Sequence, residues 1–340
     1  MQLNKQTLIR LNCHLFTIIV YMLGYWSFSN FIICGITLKS SNFAFAKQYE
    51  FDAMRRFFAA FFVIVGLSAN AQPEKWTQKK FFTVMSYNVE NLFDTIRTEG
   101  KNDVEFTPAG NKQWNSKRYF EKLRHLSMAI DSLNPNYMPD IVALVEVETK
   151  QALLDLASQE SVKKAGYECI LEDGPDPRGI DCALMYNPAT FKYLEHKAIN
   201  VVLKPSNKRT RDILYVKGLS GKDTLHIFVN HWPSRVGGKE ETASKRAQCA
   251  DLLRQLTDSL YKVNNDCNIL IMGDMNDEPT DESVYEVLGA SELTKYSRLH
   301  NICYSLKKEG RGTYFYQGEW SMLDNLIVSQ PNSGEEALTI

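Results

Sequence analysis

The stretch Asn268-Ile-Leu-Ile-Met272 limits this chain most, because it is long enough for a buried strand and too short for a helix. Gly273 ends it, since a residue without Cβ lets the backbone turn sharply. Asp274 and Asn276 follow two apart, so in an extended backbone they point to one side. Pro279 closes the turn. A carboxylate and an amide fixed at the end of a core strand suit chemistry. The same residues also suit a plain strand-to-helix turn, with Asp and Asn as caps.

The pattern recurs along the chain. Apolar strands are expected at Phe81–Ser86, Asp140–Val145, Ile180–Tyr186, Ile213–Leu219 and Leu225–Val229. Thr313–Tyr316 and Leu323–Val328 read as a late strand pair, with Asp324 inside the second. Helices are expected from Ser116, as N-cap, to Leu133 with Phe120, Leu123, Ile130 and Leu133 inward, at Gln151–Gln159, and from Glu241 to Leu260 with Ala250, Leu253, Leu256 and Leu260 inward. Strands mixed with two long helices predict one α/β domain over residues 72–340, with no visible linker.

The N-terminal seventy residues are of another kind. Met54 to Ala71 has Arg55 and Arg56, an apolar core from Phe57 to Leu67, and small residues Ala69 and Ala71 before Gln72. It reads as a secretory signal over 54–71, which predicts export to the periplasm or outside. Leu11 to Leu38 holds no Asp, Glu, Lys or Arg and is long enough to span a bilayer. Residues 1–53 are therefore either a membrane anchor or an upstream extension foreign to the natural protein. Beyond residue 71 the cysteines are Cys169, Cys182, Cys249, Cys267 and Cys303, with no CxxC pair, which argues against a zinc knuckle or a thioredoxin-type site. They read as small core residues. A formal net charge of −1 argues against a bulk electrostatic nucleic-acid binder. A local patch at Lys204, Lys208, Arg209 and Arg211, with Trp232 in the motif set, leans toward a polyanion.

Several strands end in polar residues foreign to a core: Asn88 and Glu90, Glu146, His231, Asp274 with Asn276, and Asp324. Singly these are turn residues or solvated edges. Together, carboxylates and amides without thiolates are hard oxygen ligands suited to Mg²⁺ or Mn²⁺. A hard ion, a carboxylate able to orient water and a histidine fit attack on a phosphoryl centre.

The motifs Ser-Tyr-Asn-Val-Glu (86–90), Pro-Asp-Ile-Val-Ala-Leu-Val-Glu (139–146), Arg-Gly-Ile-Asp (178–181), Asn-His-Trp-Pro-Ser-Arg (230–235), Gly-Asp-Met-Asn-Asp (273–277) and Met-Leu-Asp (322–324) stand in one order and spacing. In this the chain resembles the endonuclease/exonuclease/phosphatase superfamily, in its secreted bacterial form. The resemblance implies a four-layered α/β sandwich: two stacked mixed sheets flanked by helices, with the site at one edge. It implies Glu146 as metal ligand, with Asn88 and Glu90 beside it. Asp274 would activate water, Asn276 would hold phosphate and position Asp274, and His231 would contact a phosphate oxygen or act as an acid. Asp181 is a candidate partner for His231. Arg235 and Arg246 are candidate phosphate contacts, because guanidinium offers paired donors, though Arg246 equally suits a solvated helix face. The superfamily ends in a strand carrying Ser-Asp-His, whose histidine pairs with the aspartate at the Asp324 position. No histidine follows Asp324 here, so the fold is expected to lack its last strand.

The reading implied is an exported, metal-dependent phosphodiester hydrolase, acting as a monomer on nucleic acid without a protein partner. The alternatives are a phosphatase or phosphodiesterase on lipid or sugar headgroups, and a catalytically silent phosphate-binding domain.

Overall fold

The computed structural model describes residues 12–13, 16–22, 81–134, 137–294 and 297–330. The expected signal at 54–71 and the tail after residue 330 lie outside the described residues.

Six strands, β1 (Asn12–Cys13), β2 (Phe16–Met22), β3 (Phe81–Leu92), β4 (Ile141–Val147), β5 (Glu168–Leu171) and β6 (Asp181–Tyr186), form one mixed sheet in the order β1-β2-β3-β4-β6-β5. The second sheet contains β7 (Lys192–Leu203), β8 (Lys208–Ser220), β9 (Asp223–His231), β10 (Asn268–Asp274), β11 (Ala290–Ser291) and β12 (Leu299–Asn301). A separate hairpin, β13 (Tyr314–Tyr316) and β14 (Glu319–Ser321), precedes the last strand of that sheet, β15 (Asp324–Ser329). The order is β11-β12-β15-β10-β9-β8-β7. The helices are α1 (Ser116–Ser132), α2 (Lys150–Ala157), α3 (Lys239–Val263) and α4 (Cys303–Lys308).

Period-2 burial explains the layering. On β4, Ile141, Ala143 and Val145 join a core shared with Leu270 and Met272 of β10 and with Leu326 and Val328 of β15, so that core lies between the sheets. Val142 and Leu144 face the other way, against Leu123 and Ile130 of α1 and Leu153 of α2. Ile269 and Ile271 of β10 pack outward on Ala250 and Leu253 of α3. The result is four layers, helix on sheet on sheet on helix. Both faces of these strands are covered, which is why they read as unbroken apolar runs.

Several sequence expectations change. The cap of α1 is Asn115, whose side chain accepts from Arg118 N, rather than Ser116. The buried face of α1 runs through Tyr119, Leu123, Leu126 and Ile130, while Phe120 is 53% exposed. On α3, Ala250 and Leu253 are buried as expected, and Leu256 and Leu260 only partly. The segments at 313–316 and 323–328 do not pair with each other: β13 pairs with β14, and β15 lies between β10 and β12. Within the apolar span 11–38, Phe16–Met22 is a strand parallel to β3, from Thr17 opposite Phe81 to Met22 opposite Ser86. It covers one edge of β3. Among the described residues no helix is long and apolar enough to cross a membrane. Cys182, Cys249, Cys267 and Cys303 are buried, and none of the five cysteines beyond residue 71 is in a disulfide.

Candidate active site

The inter-sheet core ends in polar side chains on the parity that faces inward. Val84 is inward, and Asn88 lies four residues on along β3. Val229 is inward and His231 follows by two. Met272 is followed by Asp274, and Asp324 precedes Leu326. Strand pairing then gathers them. Parallel β9 and β10 set His231 opposite Asp274, and antiparallel β15 sets Asp324 opposite Asp274. Parallel β3 and β4 set Asn88 opposite Val145, one residue before Glu146.

Glu146 has the wrong parity for an inward residue, and a bulge corrects it. The β4–β6 register breaks between Val145 and Val147, and the β3–β4 register breaks between Asn88 and Leu92. Glu146, Glu90 and Asn91 all have φ between +52° and +69°. Left-handed backbone in three non-glycine residues is costly and concentrates at functional sites. Here it aims Asn91 N at Glu146 Oε2, 2.8 Å away. Gly273, at φ +126°, has no alternative: a Cβ there would meet Asn230 O at 2.0 Å.

Asn88 links carboxylates from the two sheets. Its Nδ2 donates to Asp274 Oδ2 at 3.0 Å and lies 3.4 Å from Glu146 Oε1, while its Oδ1 accepts from Glu90 N. Asp274 Oδ1 accepts from Asn276 N at 2.8 Å, and Asn276 Nδ2 donates to Trp232 O. That amide is committed to the turn, so Asn276 positions Asp274 through its backbone. His231 Nε2 lies 3.7 Å from Glu146 Oε1 and 4.0 Å from Asp274 Oδ2, too far for hydrogen bonds. Burial, with the charges of Arg211 and Arg178, pushes His231 well below its ordinary range, so the imidazole is neutral and these contacts are not ion pairs. Burial, and behind it the charge of Glu146, pushes Asp274 up to about 6. Burial and the charges of Asp274 and Glu146 push Asp324 well upward. Both Asp324 oxygens lack a hydrogen-bond partner.

Other predicted residues are placed elsewhere or used otherwise. Asp181 accepts from Gly174 N at 3.0 Å, and His231 Nδ1 has no partner among the described residues, so the expected Asp181–His231 pair is not formed. Arg246 is fully buried on α3, with Nε 2.7 Å from Asp277 Oδ2 and Nη1 on Thr242 Oγ1, so it is neither a phosphate contact nor solvated. Arg235 is spent on Asn276 O at 2.6 Å and Asp281 Oδ2 at 2.8 Å, where it ties down the loop that carries Asn276. Of the basic patch, Lys204, Lys208 and Arg209 are exposed and only Arg211 is buried. Arg209 pairs with Asp212, and buried Arg211 bridges Asp176 Oδ2 to the carbonyls of His231 and Trp232. Trp232 is 1% exposed and unavailable for stacking.

Sequence reading missed Lys122. Its Nζ, reaching from α1, donates to the carbonyls of Glu90 and Asn91 and so clamps the strained bulge. Burial lowers its pKa to about 8, against the raising effect of Glu90 and Glu146. The signal was hidden because position 122 falls between the buried Tyr119 and Leu123, where a lysine reads as part of the solvated face.

Compared with known proteins, the sequence profile described as the endonuclease/exonuclease/phosphatase family matches residues 83–338. Searched against curated proteins, the sequence finds no match. Among solved structures, the chain is similar to a humanized zebrafish (D. rerio) TDP2 at 16% identity, covering 74% of this chain and 84% of that one, with a TM-score of 0.48. It is also similar to a mannosyl-6-phosphatase of Bacteroides thetaiotaomicron, at 17% identity over 72% and 84% and a TM-score of 0.48. The human Nocturnin catalytic domain aligns at 21% identity over 62% and 75%, with a TM-score of 0.44.

Proposed function

Because the chain belongs to the endonuclease/exonuclease/phosphatase family, whose members hydrolyse phosphate esters, we propose that it is a divalent-metal-dependent phosphodiester hydrolase, and more finely an exported endonuclease. The observation that carries the reading is the meeting of Asn88 and Glu146 from one sheet with His231, Asp274 and Asp324 from the other.

The donor set fits a hard cation. Glu146, Asp274 and Asp324 are mutually repelling buried carboxylates, and Asp324 keeps two unfilled oxygens. Among the described residues no three such groups already close around one point at coordinating distance. Glu146, with Asn88 and Glu90 beside it, would hold Mg²⁺ or Mn²⁺. Such an ion, when bound, acidifies water and polarises a phosphoryl oxygen. The chain's own residues do the rest. Asp274, fixed by Asn276 N and Asn88 Nδ2, orients water and accepts its proton. Neutral His231 donates one hydrogen bond toward a phosphate oxygen, a role that suits it better than acid. Arg211, through the His231 and Trp232 carbonyls, keeps that imidazole in place.

A smaller phosphate ester, on a lipid or sugar headgroup, is the second reading. It is favoured by the internal commitment of Arg211, Arg235 and Arg246, which leaves those residues unable to track a nucleic-acid backbone. The test is incubation with plasmid DNA, RNA and simple phosphate esters, in Mg²⁺ and in EDTA. Hydrolysis of at least one, lost in EDTA, is expected, and no turnover of any would leave the silent phosphate-binding domain. Glu146→Gln should weaken Mg²⁺ binding in calorimetry by about ten-fold or more, and unchanged affinity would remove Glu146 from the ligand set. For export, mass spectrometry of protein from the cell envelope should show a start at Gln72. An intact N-terminus would point to the membrane anchor instead.

A further inference from the structure

We propose that Asp94, Asp103 and Glu148 form a calcium site separate from the phosphoester centre. The three carboxylates become neighbours, linked through Asp94 N and Thr98, because the chain turns back onto β4 as it leaves β3. Asp94 N donates to Glu148 Oε2 at 2.8 Å. Thr98 connects the other two: its Oγ1 lies 3.4 Å from Glu148 Oε1, and its N donates to Asp103 Oδ2 at 2.6 Å. Glu148 and Asp103 are 4% and 1% exposed, and Asp103 Oδ1 has no hydrogen-bond partner.

No lysine, arginine or histidine among the described residues forms an ion pair with any of the three. The nearest neighbours make the imbalance worse. Asp155 of α2 also bears on the cluster, although its own oxygens are met by Tyr119 Oη at 2.8 Å and Gln151 Nε2 at 2.8 Å. Burial, then the charges of Asp103 and Asp155, shifts the Asp94 carboxyl upward despite the bond from Ile96 N. Buried carboxylates with an unfilled oxygen and no cation are unstable as they stand.

The donor chemistry selects the ion. The donors are oxygens only: Asp94 and Asp103 lie in the irregular loop after β3, and Glu148 lies at the end of β4. Calcium accepts six to eight oxygens in flexible geometry, whereas magnesium demands a rigid octahedron. Half-buried Asp94 provides the way in. The carboxylates do not yet surround one point, so binding draws them together and tightens the loop that follows the Glu90–Asn91 bulge.

The test uses the full chain stripped with EDTA, with Ca²⁺ or Mg²⁺ added alone. The wild type and Glu146→Gln should both melt about 5–10 °C higher in Ca²⁺ at a hundred times Kd. Asp103→Asn keeps the acceptor for Thr98 N and removes one of the repelling charges. It should melt at or above the wild type without metal and lose most of the calcium response. Asp94→Asn on the Glu146→Gln background, titrated with Ca²⁺ by calorimetry, should bind at least ten-fold more weakly, and this holds the test open if Asp103→Asn fails to fold. The proposal is overturned if Glu146→Gln shows no calcium response, if Asp103→Asn and Asp94→Asn keep the full response, or if Mg²⁺ acts where Ca²⁺ does not.

Discussion

Asp274→Asn is expected to lower hydrolysis of whichever ester the protein cleaves by about a thousand-fold while leaving the fold intact. General-base assistance typically contributes about 10²–10⁴-fold, and an amide cannot accept the proton. The side chain is fully enclosed, with Asn276 N on one oxygen and Asn88 Nδ2 on the other. An amide offers one oxygen and one NH₂, so one of these two donors must face another donor. That loss is offset by removal of a buried charge that Glu146 and Asp324 oppose. The melting temperature should therefore move by only a few degrees. Turnover measured beside the thermal melt checks both halves, and wild-type turnover in a folded variant would remove Asp274 from the chemistry.

Arg246→Met is expected to be the most destabilising change near the site, at about 3–5 kcal/mol, because it leaves Asp277 as a buried charge without its partner. Asp277 also accepts from Ser283 Oγ, and Arg235 Nη2 lies 3.4 Å from it, so neither compensates fully. Asp277 follows Asn276, whose backbone fixes Asp274, so activity should fall in step with stability. Urea unfolding measures the first effect. The double variant Arg246→Met with Asp277→Leu should recover most of the stability, since replacing both members of a buried pair by apolar groups is often neutral. A single variant as stable as wild type would show that the pair is dispensable.

The legible parts of this chain were those where one local rule dominates. Buried strands such as Ile141–Val147 and Asn268–Asp274 declare themselves because both faces are covered, and the motif residues stand at their ends. The strand β7 was not legible: Lys192–Leu203 is mostly exposed, with charges on both faces, and it is held by pairing with β8 rather than by its own propensity. Phe16–Met22 was legible as apolar but not as a strand, because a short apolar run gives no helix or strand period of its own.

Among site residues the arginines divided sequence from structure. Arg211, Arg235 and Arg246 have the composition of a phosphate-binding set, and each turns inward to a carboxylate or a carbonyl, while Arg209 stays exposed and pairs with Asp212. Sequence alone settles which residues sit at strand ends and, apart from Glu146 with its bulge, which face they take, because a strand alternates with period two and Gly273 must end the run where it does. What only the tertiary structure decided was partnership. Whether a buried charge meets substrate, an ion or another side chain depends on distances between segments far apart in the chain, such as Asn88 to Asp274 or Arg246 to Asp277. No local pattern encodes those distances, because the packing of one sheet on the other sets them.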